Sequence, residues 1–407
     1  MSAILYISYD GMTDPLGQSQ VLPYLVGLSQ KGYQIVLISF EKEERFESNK
    51  STIEAICTKA NIVWKPLNYT KKPPILSTLW DVYQLKRLIK KLQKQYHFSL
   101  SHCRSHISSM GGAYLKRKSN VPFIFDMRGF YADERVDGNI WKLSNPLFRK
   151  VYHFFKQKEK AFLHDAAYTI SLTEAGKRII HSWSGFEQTP IQVIPCCADL
   201  NHFNRLNVDE TRVKQWQKEL QIYDDDFVIS YLGSLGTWYM GDEMFQFFKR
   251  LLTHNPKAKF LLITPDSKSL IESYAEKNSV PKEAIIVKSA KRNEVPELLL
   301  LSKLALFFIK PVFSKQASSP VKMGEILAMG IPTIANAGVG DVDAIISDTQ
   351  CGIIVNGFSD VDFDKAISQI DELLKQEKSV FIKASQKYYS LADGVEKYAK
   401  VYEQILL

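Results

Sequence analysis

The feature that most constrains this chain is an alternation that runs its length. Short apolar runs rich in Val, Ile, Leu and Phe are separated by longer stretches of helical spacing, and the pattern occurs twice. In the first half the runs are 3–9, 34–40, 62–64, 122–126, 167–172 and 191–194. In the second they are 227–232, 259–264, 284–287, 304–309, 331–335 and 352–355. Continuous apolar runs of this length suit strands buried on both faces, as in a parallel sheet. Between them, the spacing of Leu79, Val82, Leu85, Ile89, Leu92 and Tyr96 predicts a helix with one apolar stripe. Strand–helix alternation repeated twice predicts an α/β chain of two doubly wound domains. At 407 residues the chain also exceeds what one core usually fills. The join is expected after Ile194-Pro195, where 200–226 turn polar and charged.

Composition removes several alternatives. Apolar residues make up 45% and charged residues 24%, which fits a folded chain and not a disordered one. No apolar run approaches the ~20 residues that span a bilayer. The opening residues lack the basic segment and the length of a secretory signal, so the expected location is the cytoplasm or the inner face of a membrane. Five cysteines without a CxxC pair argue against a disulfide framework and a zinc site. The net charge of +8 is concentrated: residues 71–118 hold eleven Lys or Arg against the single acid Asp81. A basic surface of that density suggests an anionic partner such as lipid, pyrophosphate or nucleic acid.

In doubly wound sheets ligands bind beyond the carboxyl ends of the strands, so those segments are the ones to search. After the first strand, Tyr9 to Gln20 carries Gly11, Pro15 and Gly17 ahead of a helix expected near Gln18. Glycine there lets an anion approach backbone amides, although the segment is not GxGxxG; the bland alternative is a long turn. After 122–126 come Asp126-Met127-Arg128-Gly129-Phe130-Tyr131-Ala132-Asp133-Glu134-Arg135. Such a charged cluster is costly unless it pairs internally or binds something, and both can hold. His102 and His106 are four apart beside Arg104 but have no local carboxylate, so no metal site is expected. The most informative stretch is 307–337. Lys310, Ser314, Lys315, Ser318 and Ser319 precede a helix expected from Pro320, with Lys322 at its start and Glu325 further in. Free amides, hydroxyls and lysines make a phosphate-binding helix end, and Glu325 is placed to reach a ribose beyond the phosphates. Asp341-Val342-Asp343 is a DxD string that is expected to cap the next helix.

These residues carry a resemblance. Ser318-Ser319-Pro320-Val321-Lys322-Met323-Gly324-Glu325 resembles the donor-binding signature of the GT-B glycosyltransferases of the large bacterial family four. Ile194-Pro195-Cys196-Cys197-Ala198-Asp199 is similar to that family's crossover between domains, and Tyr231-Leu232-Gly233-Ser234-Leu235-Gly236 stands where its second domain opens. The resemblance implies two Rossmann-like doubly wound domains facing a central cleft, residues 1–205 and 206–390, with a closing helix, 391–407, returning to the first. It implies a metal-independent, retaining transfer from a nucleoside-diphosphate sugar, UDP favoured over GDP, with the sugar donor as substrate and no cofactor. The acceptor would be a glycan or a lipid-linked molecule in cell-surface polysaccharide or glycoconjugate assembly, and the basic helix 79–96 would rest on anionic membrane. Donor contacts would fall to Gly17, Gly233, Ser234, Lys310, Lys315, Ser318, Ser319, Lys322 and Glu325. Arg104, Asp126 and Arg128 would form the catalytic set, the two arginines standing where the family often has histidines. This chain departs from the family's pattern elsewhere too. Ala317 replaces the first of two glutamates, and Ser234 and Trp238-Tyr239 stand near the usual phosphate-binding Arg and Lys. A nucleotide-sugar epimerase or reductase is the alternative enzyme, disfavoured by the missing GxGxxG and Tyr-x-x-x-Lys. A non-catalytic polyanion binder is the other alternative; no stacking motif supports nucleic acid.

Overall fold

Six of the expected short runs, together with 100–104, form one parallel sheet: β1 (Ala3–Ser8), β2 (Gln34–Glu41), β3 (Val63–Asn68), β4 (Leu100–Arg104), β5 (Phe123–Asp126), β6 (Tyr168–Ser171) and β7 (Ile191–Val193), in the order β3-β2-β1-β4-β5-β6-β7. Six more form a second: β8 (Phe227–Leu232), β9 (Ala258–Ile263), β10 (Ile285–Lys288), β11 (Leu304–Phe307), β12 (Thr333–Asn336) and β13 (Gly352–Val355), in the order β10-β9-β8-β11-β12-β13. The coordinates are a computed structural model that describes residues 3–407. Every strand pairing within the sheets is parallel, and helices connect the strands, so each unit is a Rossmann-like doubly wound domain.

Both sheets reverse direction beside their first strand. In the first unit the switch point lies between β1 and β4, and in the second between β8 and β11. The physics behind the strands is plain in β1, where all six residues are buried, and in the cluster of Ile229, Phe245, Phe248, Phe260 and Leu306 that fills one face of the second sheet.

The chain divides into residues 3–196 with 391–407, and residues 197–390. Residues 197–205, expected with the first domain, pack with the second: Ala198 joins the core around β8, and Phe203 joins Trp216 and Leu261. The closing helix, Leu391–Leu406, packs with the first unit. It lies on the helix Leu22–Gln30 and reaches β4. Its Tyr398 hydroxyl donates to Asp126 Oδ2 at 3.1 Å, and its Tyr402 hydroxyl lies 2.8 Å from His102 Nδ1.

Two local expectations need correction. The polar segment 100–104, absent from the expected apolar runs, is itself a strand, central and fully buried. Its polar side chains are tolerated because each finds a partner in the first unit. In the helix Leu76–Tyr96 the buried stripe is Asp81, Val82, Leu85, Ile89 and Leu92, whereas Leu79 is 58% exposed. Arg87, Lys90, Lys91 and Lys94 are exposed, and Lys86 is half-buried.

Candidate active site

At the first switch point the segment after β1 is held from beneath by Glu41, the buried last residue of β2. Its carboxylate accepts from the amides of Met12 (2.8 Å) and Thr13 (3.0 Å), from the Thr13 hydroxyl and from the Ser39 hydroxyl. A carboxylate with this many donors is a rigid anchor. Gly17 sits where a Cβ would come within 2.1 Å of the Gly11 carbonyl oxygen, so the helix Pro15–Gln20 can close on the turn only with glycine there. The sequence pointed to the glycines but not to Glu41, which is 24 residues from Gly17.

β4 delivers Arg104 and β5 delivers Asp126 to the same corner. Arg104 is buried, and its Nε donates to Asp10 Oδ2 at 3.2 Å. Asp126 is fully buried, with Arg128 Nη1 3.8 Å from Oδ1. Arg128 has a φ of 58° and donates through Nη2 to Cys196 Sγ at 3.1 Å. Asp126 accepts only, so His102 carries its proton on Nε2, 3.4 Å from Asp126, and accepts from Tyr402 at Nδ1. Burial lowers the pKa of His102 and favours this neutral form. Burial opposes the charge on Asp126, but Arg128, the His102 hydrogen bond and Arg104 outweigh it and hold its carboxyl below the usual range. His106 faces elsewhere, with Nε2 3.1 Å from the buried Glu159, so the two histidines do not share a site. Among the described residues no group of three or more His, Cys, Asp and Glu side chains is gathered as a metal would require.

Arg104 and Arg128 open onto a cavity of about 470 Å³ inside the first unit. Asp10, Lys42, Tyr69, Tyr131 and Arg135 also line it. Its mixture of cations, carboxylates and aromatic faces suits a polar ligand bearing hydroxyls and negative charge.

At the second switch point Gly233 follows β8 with a φ of 106°, a left-handed turn that glycine makes without strain. Asp266, beyond β9, clamps that turn. It accepts from the Ser234 hydroxyl (2.7 Å), the Leu235 amide (2.6 Å) and the Thr264 hydroxyl (2.9 Å). Ser234 is therefore committed to the turn. Beyond β11, the Lys310 amide donates to the Trp238 carbonyl at 3.0 Å and a short helical turn spans Phe313–Ala317. The next helix is Val321–Ala328, with Pro320 as its N-cap residue, one position later than expected. Ser318 and Ser319 lead into it half-buried, and Ala317 is buried.

The aromatic pair Trp238-Tyr239 turns out to hold the lysines. Lys315 Nζ stands 3.7 Å from the Trp238 ring centre. Lys322 Nζ stands 3.6 Å from that of Tyr239 and 4.2 Å from that of Tyr231, and donates to the Tyr231 hydroxyl at 3.2 Å. Each aromatic face attracts the ammonium placed over it and fixes its position. Burial pushes the Lys322 ammonium well below its ordinary pKa, with Glu325 and Asp266 only partly offsetting it. Glu325 is also buried, one turn on from Lys322. Burial raises it to about 7 against the pull of Arg292, whose Nη1 is 3.5 Å away, and of Lys322. The structure thus brings Gly233, Ser234, Lys315, Lys322 and Glu325 to the switch-point end of one unit, and Gly17, Arg104, Asp126 and Arg128 to that of the other. In the DxD string it is Asp343 that accepts, from the Gly338 amide at 3.0 Å, while Asp341 at the N-cap makes no side-chain cap bond.

Two doubly wound units, each with charged side chains gathered at its switch point, define a protein of the GT-B class. Residues 20–202 match the family described as Glycosyltransferase Family 4, and residues 212–388 match that described as Glycosyl transferases group 1. The chain belongs to this family four, group 1 set of glycosyltransferases. No curated protein matches the sequence. Among solved structures it is similar to a sucrose-phosphate synthase from Thermosynechococcus elongatus, with a TM-score of 0.74, 13% identity and coverage of 100% of this chain and 99% of that one. HepE from Anabaena, solved with UDP-glucose, has a TM-score of 0.70, 12% identity and coverage of 99% and 100%. A glycosyltransferase from Rickettsia africae has a TM-score of 0.69, 14% identity and coverage of 100% and 98%. At these identities the likeness is one of fold.

Proposed function

We propose that this glycosyltransferase moves a sugar, with retention of configuration, from a UDP-sugar to a glycan or lipid-linked acceptor in the assembly of a cell-surface polysaccharide or glycoconjugate. The observation that carries this reading is the pairing of Lys322 and Glu325 at the start of the helix after the second switch point, supported by Lys315. A diphosphate beside the free amides of that helix meets Lys322 and Lys315, with Lys310, Ser318 and Ser319 on its approach. The ribose hydroxyls then donate to Glu325. As the bond between the sugar's anomeric carbon and the diphosphate breaks, the lysines and helix amides stabilise the departing charge, so the reading assigns that work to protein groups and not to a metal. The acceptor hydroxyl forms the new bond to the same carbon and gives its proton to the departing diphosphate oxygen, while Arg104 and Arg128, the latter held by Asp126, position it. UDP is favoured over GDP by the resemblance, and the UDP-glucose held by Anabaena HepE agrees with that choice.

A thermal-shift and hydrolysis panel of UDP- and GDP-sugars tests the reading. A true donor at a hundred times its dissociation constant adds ~2.7 kcal/mol of stability and is slowly hydrolysed. Stabilisation by no nucleotide sugar in the panel defeats the proposal.

A further inference from the structure

Beside the polar cavity of the first unit lies a second one of about 510 Å³ with a different lining. Its floor rests on Val82 and Phe155, which belong to a buried cluster with Ile107 and Ala132. Its walls include Leu79, Met110, Ile140, Trp141 and Phe154. The two cavities share Tyr69, Thr78, Tyr131 and Arg135, so the apolar groove runs on from the polar cavity of Arg104 and Arg128. Lys71 and Lys150 stand on the groove's lining, and Arg135 packs its guanidinium over the Tyr131 ring at the junction, 4.8 Å from its centre.

The surface leading to the groove is also unusual. Leu76, Leu79, Trp80 and Tyr83 recur at helical spacing on one edge of the helix Leu76–Tyr96 and are 63%, 58%, 52% and 56% exposed. Apolar side chains gathered in this way mark a binding surface. The occupant must be apolar along the groove, polar and anionic where the groove meets Arg135, and able to present a hydroxyl or phosphate to Arg104 and Arg128. A folded partner's backbone would need hydrogen-bonding groups that this lining scarcely offers, whereas a hydrocarbon chain needs none.

We propose that the groove holds the hydrocarbon chain of a lipid-linked acceptor whose phosphate-bearing head lies in the adjoining polar cavity. The inference rests on the glycosyltransferase reading for the word acceptor and on the geometry alone for the chain. The probes are inorganic phosphate, geranyl phosphate (ten carbons) and farnesyl phosphate (fifteen carbons), titrated by calorimetry and by tryptophan fluorescence, which Trp141 in the groove reports. UDP is titrated separately. Each methylene removed from water contributes about fourfold in affinity. Farnesyl phosphate is therefore expected to bind at least tenfold more tightly than geranyl phosphate, and inorganic phosphate more weakly than either. Leu79→Asp and Phe154→Asp alter exposed positions, so they should fold normally by melting temperature, lose at least tenfold in farnesyl phosphate affinity and keep UDP affinity unchanged. Equal affinity for the three phosphates, or full affinity in both aspartate variants, overturns the proposal. UDP binding without chain-length dependence overturns the groove and leaves the transferase reading standing. Chain-length dependence without any nucleotide-sugar binding supports the groove and removes the transferase reading.

Discussion

At the scale of single residues, Glu325 carries opposed demands. A buried carboxylate far from ample compensation costs stability, and a ribose ligand would use the same carboxylate. Its folded pKa of about 7 lies above its ordinary value of 4.5, so the folded state holds this proton more tightly than the unfolded state. The favourable contribution is complete below pH 4.5 and is lost as pH rises toward 7, leaving a penalty of about 3 kcal/mol at pH 8. Glu325→Gln stays neutral throughout. It should match the parent in thermal melting at pH 4.5 after allowance for the change of side chain, and exceed it at pH 8. A variant that is no more stable at pH 8 than the parent would show that the carboxylate is compensated in solution. Glu325→Ala should weaken UDP-sugar binding by ~1.5–3 kcal/mol, about 10- to 150-fold, and a calorimetric titration with unchanged affinity would remove Glu325 from the donor site. Arg128→Ala should lower turnover by a comparable factor with a smaller loss of stability, because Asp126 keeps the Tyr398 hydroxyl and His102 as partners. If Arg128 serves only Asp126, the variant will instead melt much lower and retain normal activity once folded.

At the scale of elements, the closing helix is tied to the first unit by polar contacts in a dry interior as well as by packing. Removing the Tyr402 hydroxyl leaves His102 Nδ1 buried without a donor, so Tyr402→Phe should cost ~1–3 kcal/mol in urea unfolding although it deletes one oxygen. A variant as stable as the parent would mean that His102 takes the other tautomer or turns. None of this was legible in the sequence. Tyr398 and Tyr402 stand some 300 positions from their partners, and in β4 the polar string Leu100-Ser101-His102-Cys103-Arg104 hides a central strand whose hydrophobicity is replaced by these bonds. What could be read was local and periodic: the apolar strands, the glycines of the first turn, and the Ser-Pro-x-Lys-x-x-Glu helix start. Glu41 and Asp266 escaped because each acts through backbone amides of a distant turn, and that pairing leaves no spacing to detect. The role of Trp238-Tyr239 as a platform for Lys315 and Lys322 escaped for the same reason, since the sequence showed only that Ser234 and this aromatic pair stand near the positions of two expected cations.

At the scale of the molecule, the charge is divided as unevenly in space as in sequence. Arg87, Lys90, Lys91 and Lys94 are exposed on the helix Leu76–Tyr96 of the first unit, and burial, with a smaller push from Arg117 and Lys158, holds the Lys86 ammonium below its ordinary pKa. Like charges kept this close oppose one another, and an anionic surface would relieve them. The same helix carries Leu76, Leu79, Trp80 and Tyr83 ahead of its basic residues, so an apolar end adjoins a cationic flank. Among the described residues no helix is long and apolar enough to cross a membrane. Each basic residue near an acidic leaflet contributes ~1 kcal/mol, and that attraction decays within a Debye length of ~10 Å at 0.1 M salt. The protein should therefore sediment with vesicles containing phosphatidylserine at low salt and dissociate as salt rises. It should stay in solution with vesicles of phosphatidylcholine alone. Changing Arg87, Lys90, Lys91 and Lys94 to Gln should abolish the salt-sensitive part, and a remainder insensitive to salt would belong to the apolar end and fall with Trp80→Ala. If the parent protein remains in the supernatant with acidic vesicles at low salt, the basic flank is solvated only, and the enzyme meets its acceptor away from the bilayer.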